Sequence, residues 1–486
     1  MKLRDILKEV KIVELNISLD EEIYDITGDS RTVTKDSAFL CLEGTKFDGH
    51  EYVKDAVEKG ARVLITQKKI ELPSNAKFVQ IEGGRKAIAK MSCNFFNNPS
   101  SKFKLIGITG TKGKTTTTYM VKSILEEKGL KVGLIGTIES RIGDKKLQTS
   151  QNTTPDAIEL QRLFSKMVEE NVDAVVMEVS SHALDLDRVF GSEFEYAAFT
   201  NLSQDHLDYH KNFENYYQAK KILFSMCKRA FINIDDEYGN RLFNEVSCDK
   251  KSFAVDNHAD IEIKDMEITS RCVSFTEKNS VEEIGYIVKI PGKFSVYNAL
   301  TAISIAKEFN CTQNEIQEGF NNLVVPGRSE IVKLGTDFTV MVDYAHSPDS
   351  LKNILLATKE YVKGRIICVF GCGGDRDKTK RPIMGEISGK LADITIVTSD
   401  NPRSEDPEII VNEVEAGVKK VTNEYFRVTD RADAIYKALE LAKKDDVIII
   451  AGKGHEPYQI LNTGTIHFDD KEQVVEQYKK LVASKR

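Results

Sequence analysis

The stretch KLIGITGTKGKTTTT, residues 104–118, decides the fold class. Leu105 to Ile108 is apolar without the alternation of a half-exposed strand, so the run is expected to be covered on both faces, as strands of a parallel sheet are. From Thr116 to Lys128 the periodicity changes: Met120, Val121, Ile124 and Leu125 share one helical face, and Gly129 follows as a stop. Between strand and helix lie Gly110, Thr111, Lys112, Gly113, Lys114, Thr115 and Thr116. Glycines there let backbone N–H groups approach phosphate oxygens, Lys114 adds a point charge for the outer phosphates, and the Thr115 hydroxyl can ligate Mg²⁺. The spacing departs from G-x-x-x-x-G-K-[ST], whose first glycine would fall on Ile108. Taken alone, the motif reads equally as a glycine turn with a surface lysine; the strand before it and the helix after it favour a bound nucleotide.

Working outward, the same buried runs recur at Ala174–Met177, Ala197–Phe199 and Ala230–Ile234, then at Thr339–Val342, Ile366–Phe370, Ile394–Val397 and Val447–Ile450. The first hundred residues differ. They carry short β-rich runs (Ala38–Leu42, Arg62–Thr66, Phe78–Ile81) and a helical pattern with Ile88, Met91 and Phe95 on one face, and end in the linker-like Asn97-Asn98-Pro99-Ser100-Ser101. A second break falls at Val325-Pro326-Gly327-Arg328. The expectation is an α/β protein of three domains: an N-terminal α/β domain (1–100), a central parallel-sheet domain with the phosphate loop (101–328) and a C-terminal Rossmann-like α/β domain (329–486). The length of 486 residues suits three domains, and 41% hydrophobic with 29% charged residues is globular. A net charge of −7 leaves no basic field for nucleic acid or an anionic membrane, so phosphates have to be held locally. The N-terminus lacks a signal-peptide core and no run approaches the ~18 apolar residues of a membrane span, which predicts a cytoplasmic, soluble protein. Eight cysteines without CxxC or zinc spacing read as reduced, mostly buried thiols without chemistry.

Nearly every buried run of the last two blocks is followed at once by a polar, charged or glycine-rich tip: MEVSSH, TNLSQDHLDYH, VDYAHSPDS, FGCGGDRD, TSDNPR, AGKGHE. In open parallel sheets ligands bind beyond the carboxyl ends of the strands, so these tips are expected to line a crevice. Glu178 reads as a Mg²⁺ ligand or, nearly as well, as a capping or salt-bridge carboxylate. His206 stands at a tip and is favoured as functional, whereas His182 and His210 read as structural. GCGGDR fails as a dinucleotide fingerprint, because the third glycine would fall on Arg376.

GTKGKTTT, MEVSSHAL, NLSQDHLDYH, YYQAKKILF, VPGRSE, VDYAHSPDSL, FGCGGDRDKTKRP, SDNPRSEDP and AGKGHE, in this order, resemble the Mur ligases of peptidoglycan synthesis, above all those that add the third residue of the stem peptide. The likeness runs from DSRTV near residue 30 to HFDDKEQ near 470. It implies an ATP-dependent amide ligase acting through an acyl phosphate on a UDP-N-acetylmuramoyl dipeptide. Under it, Ser30, Thr45, Lys46 and Phe47 hold the UDP end; Thr153, Thr154, Ser180 and Arg188 hold the muramoyl dipeptide. Lys114 and Mg²⁺ on Thr115, Glu178 and His206 neutralise the meeting anions. Lys220, which its own surroundings in sequence make a surface lysine, is implied to carry a CO₂-derived carbamate supporting a second Mg²⁺. Asn298, Arg328 and Asp343 match nucleotide contacts, with Ser295 and Ser329 departing from the usual residues beside them.

The form Asp400-Asn401-Pro402-Arg403 resembles that of members adding meso-diaminopimelate. An arginine fork suits the second carboxylate that lysine lacks, so Arg403 and Arg376 frame the amino acid, with Glu456 and Gly452 at its distal groups. The bland alternative is that Arg403 pairs with Glu405 or Asp406 at the surface. Lysine as the added residue, a folyl-polyglutamate-type ligase lacking GCGGDRD and DNPR, and a P-loop ATPase acting on nucleic acid are the competing functions. The partners implied are small molecules, without nucleic acid or membrane insertion, for a monomeric enzyme.

Overall fold

The computed structural model describes residues 1–44, 48–149, 152–278 and 283–484. It divides into two compact units, Met1–Asp260 with Thr301–Thr312, and Ile261–Leu300 with Gln313–Arg486. Among the described residues no helix is long and apolar enough to cross a membrane.

The first unit holds two sheets. In the smaller, the strands run in the order Lys11–Leu15, Phe78–Glu82, Val63–Thr66, Ala38–Leu40, Ile26–Thr27; the first pairing is antiparallel and the rest are parallel. Helix Gly84–Phe95 covers it with Ala87, Ile88 and Met91, the face its periodicity anticipates. The larger sheet orders Asp249–Ala254, Cys227–Asn233, Phe194–Phe199, Lys104–Thr109, Ala174–Glu178 and Val132–Ile135, all parallel, and closes with the antiparallel hairpin Glu139–Ile142 and Lys145–Thr149. The strand before the phosphate loop is therefore central, buried from Leu105 to Thr109 as its unbroken apolar run requires. Its register sets Ile108 beside Glu178 and Thr109 beside Phe199, which brings three strand tips together. The helix after the loop starts at Lys114, two residues earlier than its apolar periodicity suggests, because Gly113 at φ 87° turns the chain directly into it.

The second unit carries a sheet ordered Glu330–Val332, Thr339–Asp343, Val447–Ala451, Ile366–Phe370, Ile394–Val397, Tyr425–Arg427, antiparallel at the first pairing and parallel beyond it. Period two explains its two cores: Met341 and Cys368 face helices Pro348–Lys359, Lys380–Leu391 and Pro407–Val418, while Val340, Val342 and Ile367 face Arg431–Leu441 and Asp470–Ser484. A three-stranded antiparallel run, Ile261–Ile268, Val273–Lys278 and Glu283–Val288, was not marked by any buried run in the sequence; its first strand alternates charged and apolar residues and buries only Ile261 fully.

Candidate active site

The phosphate loop is fixed from below by its neighbours. The main-chain amide of Thr111 donates to the Asn201 carbonyl at 2.8 Å, that of Lys112 to Asn201 Oδ1 at 3.0 Å, and Thr200 Oγ1 donates to the Lys112 carbonyl at 2.7 Å. Gly110 has no room for a side chain, since a Cβ there would lie 1.9 Å from Thr200 Oγ1, and its φ of 148° is one that side chains avoid. The Lys114 ammonium folds onto the loop, donating to the carbonyls of Gly110 at 2.9 Å and Thr111 at 3.0 Å. Lys112 instead reaches Asp205 at 3.3 Å. Thr116 is buried in the first turn of the helix.

Glu178, 1% exposed, is held by neutral donors: Thr115 Oγ1 to Oε2 at 3.0 Å, Thr137 N to Oε1 at 2.8 Å and Thr137 Oγ1 to Oε2 at 3.1 Å. The salt-bridge reading of this carboxylate therefore gives way to one in which hydroxyls surround a buried anion. No group of three or more His, Cys, Asp or Glu among the described residues is arranged as a metal cage. A Thr–Glu pair beside a phosphate loop nevertheless suits Mg²⁺, which keeps waters and substrate phosphates and takes one or two protein ligands. Gly136 is pressed against this group, a Cβ falling 2.4 Å from Glu178 Oε1.

From Glu178 the network continues into the residues assigned to the dipeptide. Thr154 Oγ1 donates to the Glu178 carbonyl at 2.9 Å and accepts from Ser180 N at 3.0 Å; Thr153 Oγ1 lies 3.1 Å from Thr137 Oγ1; Arg188 Nη1 donates to the Thr154 carbonyl at 2.9 Å. Thr154 is fully buried, so here it braces the main chain at Glu178 and Ser180 rather than facing outward. Arg188 also lines a cleft with Leu42, Arg85, Ile88 and Asp156. Sequence reading passed over Arg85, which donates to the Glu43 carbonyl at 2.6 Å. Ser30 opens a short 3₁₀ turn and its carbonyl accepts from Lys59. Thr45, Lys46 and Phe47 lie outside the described residues.

Lys220 is not at the surface. It is 1% exposed, donates to the Gly110 carbonyl at 2.8 Å and lies 4.6 Å from the centre of the Tyr216 ring. Burial, with the Lys114 charge nearby, holds its ammonium well below the ordinary lysine range, which favours the neutral amine. Its neighbour Lys221 is the one that pairs outward, with Glu245 at 2.8 Å. His206 adopts φ 53° and packs in an aromatic group with His182, 4.8 Å away between ring centres. Burial lowers His206, and burial with the two neighbouring histidines brings His182 down to about 4. His210 stacks on Tyr216 and bonds Ser181 Oγ at 2.9 Å, a structural role.

In the second unit, Asp343 is buried and accepts from Ser329 N at 2.8 Å and Ala345 N at 2.9 Å; burial raises its carboxyl, with Arg328 opposing. Arg328 lies over Tyr344 at 4.7 Å. The departure at Ser329 adds a second donor here, its hydroxyl reaching Asp343 Oδ2 at 3.4 Å. Asn298 is buried in helix Lys293–Glu308.

Farther along the same tips, Asn401 bridges two loops. Its Nδ2 donates to Glu456 Oε2 at 2.9 Å and its Oδ1 accepts from Ile460 N at 2.9 Å. Burial raises Glu456, against the pull of Lys453 at 3.6 Å. Gly452, at φ 120°, brings the chain against Asp400, where a Cβ would meet Oδ2 at 2.6 Å. The Pro402 carbonyl leaves no room for a side chain at Gly374, where a Cβ would approach it to 1.9 Å. Arg403 does not pair with Glu405 or Asp406. Its Nη1 donates to the Gly374 carbonyl at 2.8 Å, while Glu405 is taken by Arg381 at 2.9 Å and Lys378 at 3.1 Å. Arg376 is exposed and makes a long 3.5 Å contact to the Asp375 carbonyl; among the described residues it is brought near the loop but not into the network.

Two arginines that sequence reading missed hold these loops. Arg381, with a fully enclosed side chain, reaches Glu405, Glu413 at 2.7 Å and the Gly373 carbonyl at 3.2 Å. Arg431 clasps Asp470 through two bonds of 2.6 and 2.7 Å, both side chains fully enclosed, and donates to the carbonyls of Ala451 at 3.1 Å and Ser399 at 3.4 Å. It thereby ties the base of the Asp400–Arg403 loop to that of the Gly452–Glu456 loop.

Three family models match in order: Mur ligase family, catalytic domain, over residues 22–95; Mur ligase middle domain over 108–306; and Mur ligase, glutamate ligase domain, over 327–454. The chain belongs to the Mur ligase family. It is 52% identical over 484 residues to UDP-N-acetylmuramoyl-L-alanyl-D-glutamate--2,6-diaminopimelate ligase 1 of Clostridium acetobutylicum, covering 99% of this chain and all of that one. The ligase of the same name without the numeral from Clostridium tetani is 46% identical over 489 residues, covering 99% of this chain and all of that one. A solved structure of a UDP-N-acetylmuramoyl-L-alanyl-D-glutamate--2,6-diaminopimelate ligase superposes with a TM-score of 0.73 at 27% identity, covering 99% of each chain. The α/β architecture is thus that of the Mur ligases throughout its length.

Proposed function

We propose that this Mur ligase joins an amino group of meso-diaminopimelate to the D-Glu side-chain carboxylate of UDP-N-acetylmuramoyl-L-alanyl-D-glutamate, at the expense of ATP, as a monomer in the cytoplasm. The observation that carries the choice of amino acid is Arg403: its guanidinium rests on loop carbonyls while the nearby Glu405 is claimed by Arg381 and Lys378. An arginine so held is ready for a carboxylate of the incoming amino acid, the group that distinguishes diaminopimelate from lysine. Full-length likeness to relatives carrying that activity in their names supports the same reading. The domains carry the substrates in turn, with 1–100 for UDP, 101–328 for ATP and 329–486 for the amino acid.

A carboxylate is a poor acyl donor, so it attacks the γ-phosphorus of ATP first, the β–γ bridging P–O bond breaks and ADP leaves; the amine then attacks the acyl phosphate carbon, the C–O bond to phosphate breaks, and phosphate leaves as the nitrogen gives up a proton. Two anions have to meet. Lys114 turns from the Gly110 and Thr111 carbonyls to the transferring phosphoryl group, and the Gly110–Thr116 backbone receives the remaining oxygens. Thr115, Glu178 and His206 would hold Mg²⁺, which would supply further neutralisation of phosphate charge. The neutral amine that burial favours at Lys220 suits a CO₂-derived carbamate as an additional anionic ligand. His206, whose protonated form burial disfavours, would offer a ring nitrogen to the same metal. Thr153, Ser180 and Arg188, braced by the buried Thr154, with Ser30, Thr45, Lys46 and Phe47 receive the UDP-sugar peptide; Asn298, Arg328 and Asp343 receive the nucleoside; Asp400, Asn401, Pro402, Arg403, Gly452, Glu456 and Arg376 frame the diamino acid.

The test is phosphate release. It should require ATP, the UDP-linked dipeptide and meso-diaminopimelate together and be indifferent to DNA and RNA. Release without the dipeptide, or turnover with lysine exceeding that with diaminopimelate, contradicts the reading.

A further inference from the structure

Nothing in the sequence assigns chemistry to cysteine, and for four of the eight the structure gives a reason. Cys41, Cys93, Cys368 and Cys372 are buried, and burial pushes their thiols up to about 11 or 12. Cys227 and Cys248 are different. Cys227 opens the strand Cys227–Asn233 and Cys248 immediately precedes the parallel neighbour Asp249–Ala254, so the sheet brings both thiols to the amino ends of its strands. Their Sγ atoms lie 3.8 Å apart. Both residues are half-buried at the rim of the core. The phosphate loop lies at the opposite, carboxyl end of the same sheet, so the pair stands outside the site already described.

The contact is asymmetric. Cys227 donates its S–H to Cys248, and the carbonyl of Phe224 lies 3.8 Å from the same sulfur. Accepting that bond, with Lys250 nearby, lowers Cys248, while Cys227 is pushed up as the donor and by burial. A half-buried thiol that accepts a hydrogen bond from a second thiol, in contact with it, is the arrangement that peroxides select.

We propose that Cys227 and Cys248 form a reversible thiol–disulfide pair, in which Cys248 reacts first with a hydroperoxide and Cys227 resolves the product. The Cys248 thiolate sulfur attacks a peroxide oxygen; the O–O bond breaks, hydroxide leaves and takes up a proton as water, and the sulfur is oxidised to a sulfenic acid. The Cys227 sulfur then attacks that sulfur, the S–O bond breaks, and the hydroxyl leaves as a second water with the Cys227 proton. The peroxide is the two-electron oxidant, and an external dithiol returns both thiols by exchange. The disulfide closes a loop containing the rest of the first strand and helix Glu237–Glu245.

The experiment treats the full chain with hydrogen peroxide, blocks remaining thiols with N-ethylmaleimide and digests with trypsin. Cleavage separates ILFSMCK (222–228) from LFNEVSCDK (242–250). The expected product is the two peptides linked, lighter than their sum by about two hydrogens, and separated again by dithiothreitol. Cys227→Ser should leave a sulfenic acid on Cys248 that dimedone captures; Cys248→Ser should give neither link nor adduct at Cys227. Recovery of both peptides as separate maleimide adducts from peroxide-treated wild-type chain, in which Met226 of the same peptide is already oxidised, would overturn the proposal. So would a Cys248→Ser chain whose Cys227 reacts as fast as in the wild type.

Discussion

In the loop between Lys104–Thr109 and Lys114–Glu127, the anchors are uncharged, being hydroxyls, a side-chain amide and main-chain groups: Thr200 and Asn201 below, Thr115 and Thr137 around Glu178. At the tips of the second unit's sheet the anchors are arginines withdrawn from solvent, Arg381 under the Gly373–Glu405 region and Arg431 under the loops of Asp400 and Gly452. The contrast fits what each site is proposed to receive. A phosphate loop has to present N–H groups and one mobile cation, so close glycine packing suffices. A pocket for an amino acid with two carboxylates and two ammonium groups needs polar side chains of both signs held apart, and buried charge pairs fix such loops at the cost of desolvation.

Removing the mobile cation should have the largest effect. Lys114→Ala is expected to lower kcat by at least about a hundredfold, the scale for losing a group that meets developing charge, while calorimetry finds the affinity for the UDP-linked dipeptide within about twofold of wild type. Equal loss of both would erase the distinction between loop and substrate contacts. Lys220→Ala is expected to be comparably inactive and partly rescued by a small carboxylate. With ¹³C-labelled bicarbonate the wild-type chain should show a carbamate resonance that the variant lacks.

The arginine brace is sharpened by a pair of variants. Arg431→Ala leaves Asp470 buried without its partner, which should cost about 3–5 kcal/mol of stability in chemical unfolding. Arg431→Leu with Asp470→Leu should recover most of that stability, as apolar replacements of buried pairs do, yet keep a KM for diaminopimelate raised about tenfold, because the Ser399 and Ala451 carbonyls are no longer tied. A double variant with wild-type KM would make the pair purely structural. Smaller still is the effect at Gly136→Ala. Its φ is ordinary, so the change acts through the methyl group 2.4 Å from Glu178 Oε1, and we expect a several-fold higher Mg²⁺ requirement with the KM for ATP less affected.

The same contrast explains what could be read in advance. Strand, loop and helix of the phosphate site are contiguous, so their periodicities and glycines lie within one stretch of residues. The tips of both sheets were legible for a similar reason, since each follows a buried run. Lys220 was hidden by its neighbour Lys221, although helical spacing from Tyr216 and Tyr217 places it on their buried face. Arg381 and Arg431 left no local trace, because their acidic partners Glu405 and Asp470 stand 24 and 39 residues away. A buried charge pair is a tertiary fact, and only its helix-start context, Asp430 capping Arg431–Leu441, is written in the sequence.

The most direct measurement is kcat/KM with meso-diaminopimelate and with L-lysine for the wild type and Arg403→Ala. A charged hydrogen bond contributes roughly 1.5–3 kcal/mol, and about 1.36 kcal/mol is tenfold in rate. The account predicts a wild-type preference for diaminopimelate and a loss of at least about tenfold with that substrate in the variant, with residual lysine activity nearly unchanged. A wild type that prefers lysine, or a variant that loses both activities equally, would contradict it.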